Sequence, residues 1–268
     1  MTSAVIIFLR EVLEAMLIVC LLLASSNALQ ISRRWVLAST AFGLLGAGLY
    51  ALLFGSISDA FDGVGQEVFN ALLLFAIGVC LAVYGFVAAS RMGGRFSFPT
   101  WMAVTGLTFA IAFAITREVA ELYLYLSGYL GNADALLPVL VGGILGTGIG
   151  FSLGALIYFA VRSLKNARCL LVTCIVMVPL AAGMASQASN YLIQADWLPS
   201  QTPLWNTSGI IPETSIIGEL LYAVFSYEAT PTALQVMIYL GSALLIALGM
   251  LWLSSGFRNV PEALLHNG

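Results

Sequence analysis

Residues 2–25, TSAVIIFLREVLEAMLIVCLLLAS, form an apolar stretch long enough to cross a membrane, and it contains the motif Arg10-Glu11-Val12-Leu13-Glu14. The same R-E-x-x-E pattern returns as Arg117-Glu118-Val119-Ala120-Glu121 inside a second apolar stretch, residues 99–127. A charged side chain near the bilayer centre costs at least ~2.5–3.5 kcal/mol, so such residues indicate function by default. Two matching triplets, each with one guanidinium and two carboxylates, therefore predict a cation pathway through a membrane.

The composition of the 268-residue chain is that of a membrane protein. Hydrophobic residues make up 60% and charged residues only 9%, with a mean hydropathy of +0.99, whereas a soluble domain has about 25% charged residues. A net charge of −3 without a basic cluster excludes a nucleic-acid partner. The single histidine, His266, leaves no multi-histidine metal site and no histidine base near the membrane, so no enzyme is predicted. We expect one transmembrane domain over residues 1–268.

Hydropathy predicts an all-α membrane protein with seven transmembrane helices of about 20 residues each. The N-terminal stretch is predicted to be a retained helix, because Arg10 and Glu11 interrupt what would be the apolar core of a signal peptide. The long connection, residues 195–233, contains a predicted amphipathic helix over 213–227 that lies on the membrane or caps the bundle. The predicted spans are roughly 2–25, 36–56, 67–89, 99–127, 138–161, 169–193 and 234–255.

The basic residues predict how the chain is oriented in the membrane. Apart from the two motif arginines, every Lys and Arg falls on the same side of a seven-span arrangement, and an excess of Lys and Arg marks the cytoplasm. The N-terminus is therefore predicted outside and the C-terminus in the cytoplasm, with an acidic outer face that either attracts cations or simply solvates the loops. The basic residues are Arg33, Arg34, Arg91, Arg95, Arg162, Lys165, Arg168 and Arg258.

A second repeated pattern accompanies the charged motif. Residues 43–48, GLLGAG, and residues 143–148, GILGTG, both fit G-[LI]-L-G-x-G, and each follows one copy of R-E-x-x-E. Two matches in the same order predict an inverted 3+3 repeat plus one helix, with repeat 1 over about residues 1–92 and repeat 2 over about 97–194. We interpret the glycines mainly as positions where helices approach closely.

The motif spacing predicts the chemistry of the site. Residues three and four apart share a helix face, so Glu11 and Glu14 project together, as do Glu118 and Glu121. Four converging carboxylates form a hard oxygen cage, which suits Fe³⁺, Mn²⁺, Ca²⁺ or Mg²⁺ better than Cu⁺. Arginines nearby keep the carboxylates ionised. The supporting ion pairs are assigned to Arg10 and Arg117, and the alternative is that all six charges are buried salt bridges that only hold helices in register.

The chain resembles the oxidase-dependent iron permease family, which includes the fungal high-affinity iron permease and the bacterial EfeU-type permeases. The resemblance covers nearly the whole chain and depends chiefly on the two R-E-x-x-E motifs. Supporting matches are Gln66-Glu67-x-Phe69, residues 181–185 (AAGMA), residues 218–221 (GELL) and residues 225–229 (FSYEA). The chain departs from the usual R-E-G-L-E at Val12, Val119 and Ala120, which leaves the metal and its coupling open.

The resemblance implies a permease that carries iron, as Fe³⁺ or Fe²⁺, into the cytoplasm through Glu11, Glu14, Glu118 and Glu121. It implies a possible iron-capturing role for Glu67 at the outer mouth, where a solvated helix-start acid is the equal alternative. It also implies a multi-pass protein of the plasma membrane, the inner membrane if bacterial, with no permanently bound cofactor. A separate oxidase or periplasmic iron-binding protein would act on the outer face.

Two alternatives to an iron permease remain open from the sequence. One is a permease of the same architecture for another cation, such as lead or manganese. The other is a non-transporting membrane subunit whose buried ion pairs are structural. The paired motifs favour transport over the purely structural alternative.

Overall fold

The computed structural model describes residues 1–94, 96 and 98–255, with only the backbone of Ala133. Arg95, Arg258 and His266 therefore lie outside the described residues. All regular elements of the described ranges are helices, apart from one isolated bridge that pairs Pro203 with Thr232. The predicted all-α class is confirmed.

A long helix covers each of the seven segments that hydropathy selects, and an eighth, short helix lies in the long connection. Most ends agree with the predicted spans to within a few residues, which is the usual fraying of such boundaries. The helices are α1 (Thr2–Ala28), α2 (Arg34–Ser58), α3 (Gly65–Gly93), α4 (Thr100–Ser127), α5 (Ala133–Arg162), α6 (Asn166–Gln194), α7 (Ile216–Phe225) and α8 (Ala233–Ser254), with a 3-10 turn at Ala60–Gly63.

The largest difference from the predicted spans is the start of α5. The predicted start at residue 138 coincides with Pro138, whereas the helix begins at Ala133 and includes that proline. The Asn132 side chain explains the earlier start, because its Oδ1 accepts a hydrogen bond of 3.2 Å from the backbone N–H of Ala135.

Within the described ranges, six helices are long and apolar enough to cross a membrane: α2, α3, α4, α5, α6 and α8. The α1 helix, which carries Arg10, Glu11 and Glu14, is not among these six. Large apolar side chains face outward from the bundle; Leu52 on α2 is 83% exposed and Leu245 on α8 is 74% exposed. Hydrocarbon is the solvent in which such a surface is stable. The chain is therefore a multi-pass membrane protein.

Helix pairs organise the bundle. The α1 helix packs mainly against α5, α4 packs against α2 and α3, and α3 packs against α6, with α8 next to α3 and α6. The centre lies along α3, where Leu74, Ile77 and Leu81 are fully buried. Tyr84, also fully buried, shares a hydrogen bond of 2.7 Å with Ser25 of α1.

Glycines let the helices that carry the charged motifs touch their neighbours. A methyl group on Gly43 of α2 would lie 2.7 Å from Ile115 Cβ of α4, and one on Gly143 of α5 would lie 2.9 Å from the Phe8 ring of α1. Ile115 lies two residues before Arg117, and Phe8 lies two residues before Arg10. The two glycine patterns thus contact matching positions beside the two charged motifs.

The α7 helix is ten residues long and lies within the predicted 213–227 segment. Ser215 caps its first turn, since its Oγ accepts a hydrogen bond of 3.0 Å from the N–H of Gly218. The helix packs against α1 and α6, and its outer face is apolar, with Ile216 and Ile217 more than 60% exposed. It therefore presents an apolar surface outward and its small buried residues, Gly218 and Ala223, to the bundle.

We predict that Gly43→Ala lowers the free energy of unfolding by ~1–3 kcal/mol, because the added methyl group forces α2 away from α4. Denaturant unfolding of the purified protein in detergent measures this change. Gly48→Ala is the matched control in the same glycine pattern, since nothing lies within 4 Å of a methyl group there. We expect the control to change stability by less than about 0.5 kcal/mol; an equal loss in both variants would contradict close helix contact as the role of Gly43.

Candidate metal centre

Arg117 lies at the centre of the charged residues of α1 and α4. Its side chain is only 1% exposed, and it contacts three carboxylates. Nη1 lies 3.0 Å from Glu14 Oε2 and 2.8 Å from Glu118 Oε1, while Nε lies 3.1 Å from Glu121 Oε1. Because the guanidinium stays protonated, it supplies a fixed positive charge to carboxylates from both helices.

Arg10 belongs to the same group of charged residues and is more exposed than Arg117. Its side chain is 32% exposed, and its Nη2 lies 2.7 Å from Glu11 Oε1. Longer ion pairs of 3.8 Å and 4.0 Å connect it to Glu14 and Glu121. Each motif arginine therefore pairs with the distal glutamate of its own helix and also crosses to a glutamate of the other motif.

Three of the four predicted ligands come together. Glu11, Glu118 and Glu121 each offer one carboxylate oxygen, and these oxygens lie within 4.8 Å of one another. Glu11 and Glu118 are buried, at 1% and 4% exposure. One oxygen of each, Glu11 Oε2 and Glu118 Oε2, is buried without a hydrogen-bond partner in the described part of the chain. Oxygens in this condition are suited to hold a hard cation, because burial without any partner is costly.

Glu14 lies beside the three-carboxylate group rather than in it. Its Oε2 faces Arg117, and its Oε1 is buried and has no hydrogen-bond partner among the described residues. Glu14 thus pairs with Arg117 at 3.0 Å and with Arg10 at 3.8 Å, and it is the one motif glutamate outside the three-carboxylate group.

Glu67 lies apart from this group, in the first turn of α3. Its Oε2 is also buried without a hydrogen-bond partner among the residues that the structure describes. Tyr50 of α2 interacts electrostatically with both Glu67 and Glu121. Its ring also stacks on Phe69 at a centroid distance of 5.0 Å. Tyr50 therefore packs against the first turns of α3, where Glu67 lies.

The structure adds three residues that the motifs did not identify. Glu219 of α7 places Oε2 3.8 Å from Arg10 Nε, and the Tyr222 ring lies 5.3 Å from the Arg10 guanidinium carbon. Tyr191 of α6 donates a hydrogen bond of 3.3 Å to Glu121 Oε1. Of these three residues, Glu219 could have been found from the sequence. It is an acidic residue within the apolar run IIGELLYAVF, and charges within apolar runs also identify the two motifs.

The position of α7 follows from these contacts. Arg10 lies eight residues beyond Thr2, which is roughly 12 Å along α1 at 1.5 Å per residue. Because Glu219 and Tyr222 reach Arg10, α7 enters the bundle beside α1 instead of only covering its end.

The chain is similar to known iron transporters along almost its whole length. A sequence model described as the iron permease FTR1 family matches residues 1–260. The ferrous iron permease EfeU of Yersinia pestis is 25% identical over 256 residues, which cover 87% of this chain and 87% of that protein. The ferrous iron permease EfeU of Escherichia coli O6:K15:H31 (strain 536 / UPEC) is 25% identical over 249 residues, covering 87% and 89%. No solved structure matches the chain.

We predict that Arg117→Gln lowers the free energy of unfolding by ~3–5 kcal/mol, because it leaves buried carboxylates without their counter-charge. Arg10→Gln should cost clearly less, since Arg10 is 32% exposed and its contacts beyond Glu11 are 3.8 Å or longer. Denaturant unfolding in detergent compares the two variants. A larger loss for Arg10→Gln would show that Arg117 is not the main counter-charge.

Proposed function

The chain belongs to the iron permease FTR1 family, and we propose that it moves iron ions across the plasma membrane into the cytoplasm through Glu11, Glu14, Glu118 and Glu121. The observation that carries this proposal is the group of three carboxylate oxygens of α1 and α4 within 4.8 Å of one another, of which Glu11 and Glu118 are buried and Glu121 is partly buried. Buried salt bridges alone would not need partnerless oxygens at Glu11 and Glu118. Iron is the cargo here, and the proposal needs no resident cofactor.

The charges of the four glutamates and two arginines suit a divalent ion. With all four carboxylates deprotonated, as when each binds a cation, the four carboxylates and two guanidinium groups carry a charge of −2, which one divalent cation neutralises. The relatives named above are ferrous iron permeases, in agreement with that charge. Carboxylate oxygens also suit Mn²⁺, so manganese is the second candidate cargo.

The arginines have a gating role in this proposal. When no cation is bound, Arg117 and Arg10 offset part of the negative charge of the carboxylates. A cation that binds Glu118 or Glu121 replaces part of the Arg117 pairing, and the guanidinium then moves toward Glu14, to which it is already bound at 3.0 Å. Cation binding and arginine movement are thus coupled through the same carboxylates.

The helix packing supports the inverted 3+3 repeat as the framework of the permease. In this repeat, α1, α2 and α3 correspond to α4, α5 and α6. The packed pair α1–α5 then corresponds to the packed pair α4–α2, and the packed pair α3–α6 corresponds to itself. The glycine contacts exchange in the same way, since Gly43 of α2 meets Ile115 of α4 and Gly143 of α5 meets Phe8 of α1. In transporters with inverted repeats, the substrate binds near the midplane at the repeat interface, and α1 and α4 meet at such an interface.

The same framework gives the orientation of the permease. With α1 as a seventh span, all described basic residues outside the motifs lie at the ends α1–α2, α3–α4 and α5–α6, and this excess of Lys and Arg supports a cytoplasmic position for that side. The opposite, acidic side then meets incoming iron, with Glu67 and Tyr50 on the route to Glu121. A separate oxidase or periplasmic iron-binding protein would deliver iron to that face, and in a bacterium this membrane is the inner membrane.

We predict that Glu118→Gln and Glu121→Gln each reduce the rate of iron(II) uptake into liposomes roughly tenfold or more, since a lost ligand costs at least the ~1.4 kcal/mol that corresponds to a factor of ten. Quenching of an enclosed iron-sensitive dye, under anaerobic conditions, measures the rate. Asp134→Asn is the matched control for charge, because Asp134 is an exposed acid in the first turn of α5 and should leave uptake unchanged.

The outcome also separates the candidate functions. Uptake of manganese or lead in preference to iron would select another cation as cargo. Wild-type uptake rates in both glutamine variants, with intact protein in the liposome, would falsify the carboxylate site. No uptake of any of these ions by the wild-type protein would favour a structural role for the ion pairs.

A further inference from the structure

A second polar space lies on the other side of the tyrosines that border the carboxylate group. It is a cavity of about 170 Å³ between α6, α7 and the segment that follows α7. Since a water molecule occupies about 30 Å³ in the liquid, this volume accommodates several waters or a partly hydrated ion. Its polar walls include Ser186, Gln187, Asn190, Tyr222, Ser226 and Glu228.

Gln187 lines the cavity and carries a buried oxygen that no described protein group satisfies. Gln187 is 8% exposed, and its Nε2 donates a hydrogen bond of 3.0 Å to Ser226 Oγ. Its Oε1 is buried and accepts no hydrogen bond from any described residue. A buried acceptor without a partner costs about 1–3 kcal/mol. The Gln187 oxygen is therefore available to a ligand that accepts lone pairs.

Glu228 supplies a carboxylate to the same cavity. Its Oε2 accepts a hydrogen bond of 2.7 Å from Gln235 Nε2, and its Oε1 accepts a long one of 3.5 Å from Asn190 Nδ2. No arginine or lysine pairs with it in the described ranges, in contrast to the motif glutamates. Burial, helped by the nearby Glu213 carboxylate, raises the pKa of Glu228 to about 7, as expected for an acid without a counter-charge.

Two tyrosines connect this cavity to the carboxylate group. Tyr191 and Tyr222 both line the cavity. On the far side, Tyr191 donates its hydrogen bond to Glu121, and the Tyr222 ring lies under Arg10. An ion in the cavity is thus separated from Glu121 by one layer of side chains.

We propose that the cavity between α6 and α7 is a second cation site, in which Glu228 and the Gln187 carbonyl oxygen hold a partly hydrated hard divalent cation next to the three-carboxylate group. The assignment rests on the proposed function in one respect, namely that the ion is the transported iron. A carboxylate, an amide oxygen and water are ligands that hard divalent cations accept. The site is a waiting position from which an ion reaches Glu121 when the tyrosines move.

Anaerobic equilibrium dialysis of iron(II) against the purified full-length protein at pH 8 tests this proposal. We expect two ions bound to the wild-type protein, one to Glu228→Gln, one to Glu118→Gln and none to the variant that carries both changes. Gln187→Met, which keeps the side-chain length and removes the carbonyl oxygen, should weaken the second ion about tenfold through the loss of one ligand. Asp134→Asn is the charge-matched control and should bind two ions.

The results for the two sites can be told apart. If Glu228→Gln and Gln187→Met both bind iron as Asp134→Asn does, the second site is wrong, and the three-carboxylate site is unaffected. If Glu118→Gln still binds two ions while Glu228→Gln binds one, the proposed transport site fails and the second site stands. If Glu228→Gln does not fold, Gln187→Met decides, because Gln187 does not contact the Gln235 side chain that Glu228 positions.

Discussion

A carboxylate inside a membrane protein needs a positive charge that the protein itself supplies, and the ion pairs of Arg117 supply one here. One fully buried guanidinium contacts glutamates of both α1 and α4. Arg117 therefore joins the two helices and sets where their acidic side chains lie. The three clustered oxygens, the separate position of Glu14 and the contact between the two motifs all depend on it.

The two arginines occupy unequal surroundings although their motifs match. Arg117 is enclosed by helices of the bundle, whereas Arg10 is partly exposed and is covered by Glu219 and Tyr222 of α7. The α7 helix has no counterpart in the other half of the predicted repeat, so the asymmetry originates there. The bundle thus has one motif arginine that is fully enclosed and one that is covered by a short, separate helix.

The helices and the charged group could be predicted from the sequence, because both are indicated by local patterns of residues. Long apolar runs predict helices irrespective of their neighbours, and Arg10, Glu11, Arg117 and Glu118 stand out because charges are rare within such runs. The positions of Tyr191, Tyr222 and Glu219 depend on how α7 docks against α1 and α6, which no periodicity encodes. The separation of Glu14 from the other glutamates depends on the Arg117 side chain, and sequence spacing carries no information on that.

The glycine contacts determine how stiff the candidate centre is. Where Gly43 meets Ile115 Cβ and Gly146 meets the backbone of Val5 and Leu9, the separation of the helix axes is set by backbone and Cβ atoms, which have no alternative rotamers to relax into. Hard cations differ in the bond lengths they require, from about 2.0–2.1 Å for Mg²⁺ to about 2.3–2.6 Å for Ca²⁺. Because the helix spacing can change only if the backbone moves, the site adapts poorly to an ion of the wrong radius. Discrimination by size would then arise at residues that never touch the ion.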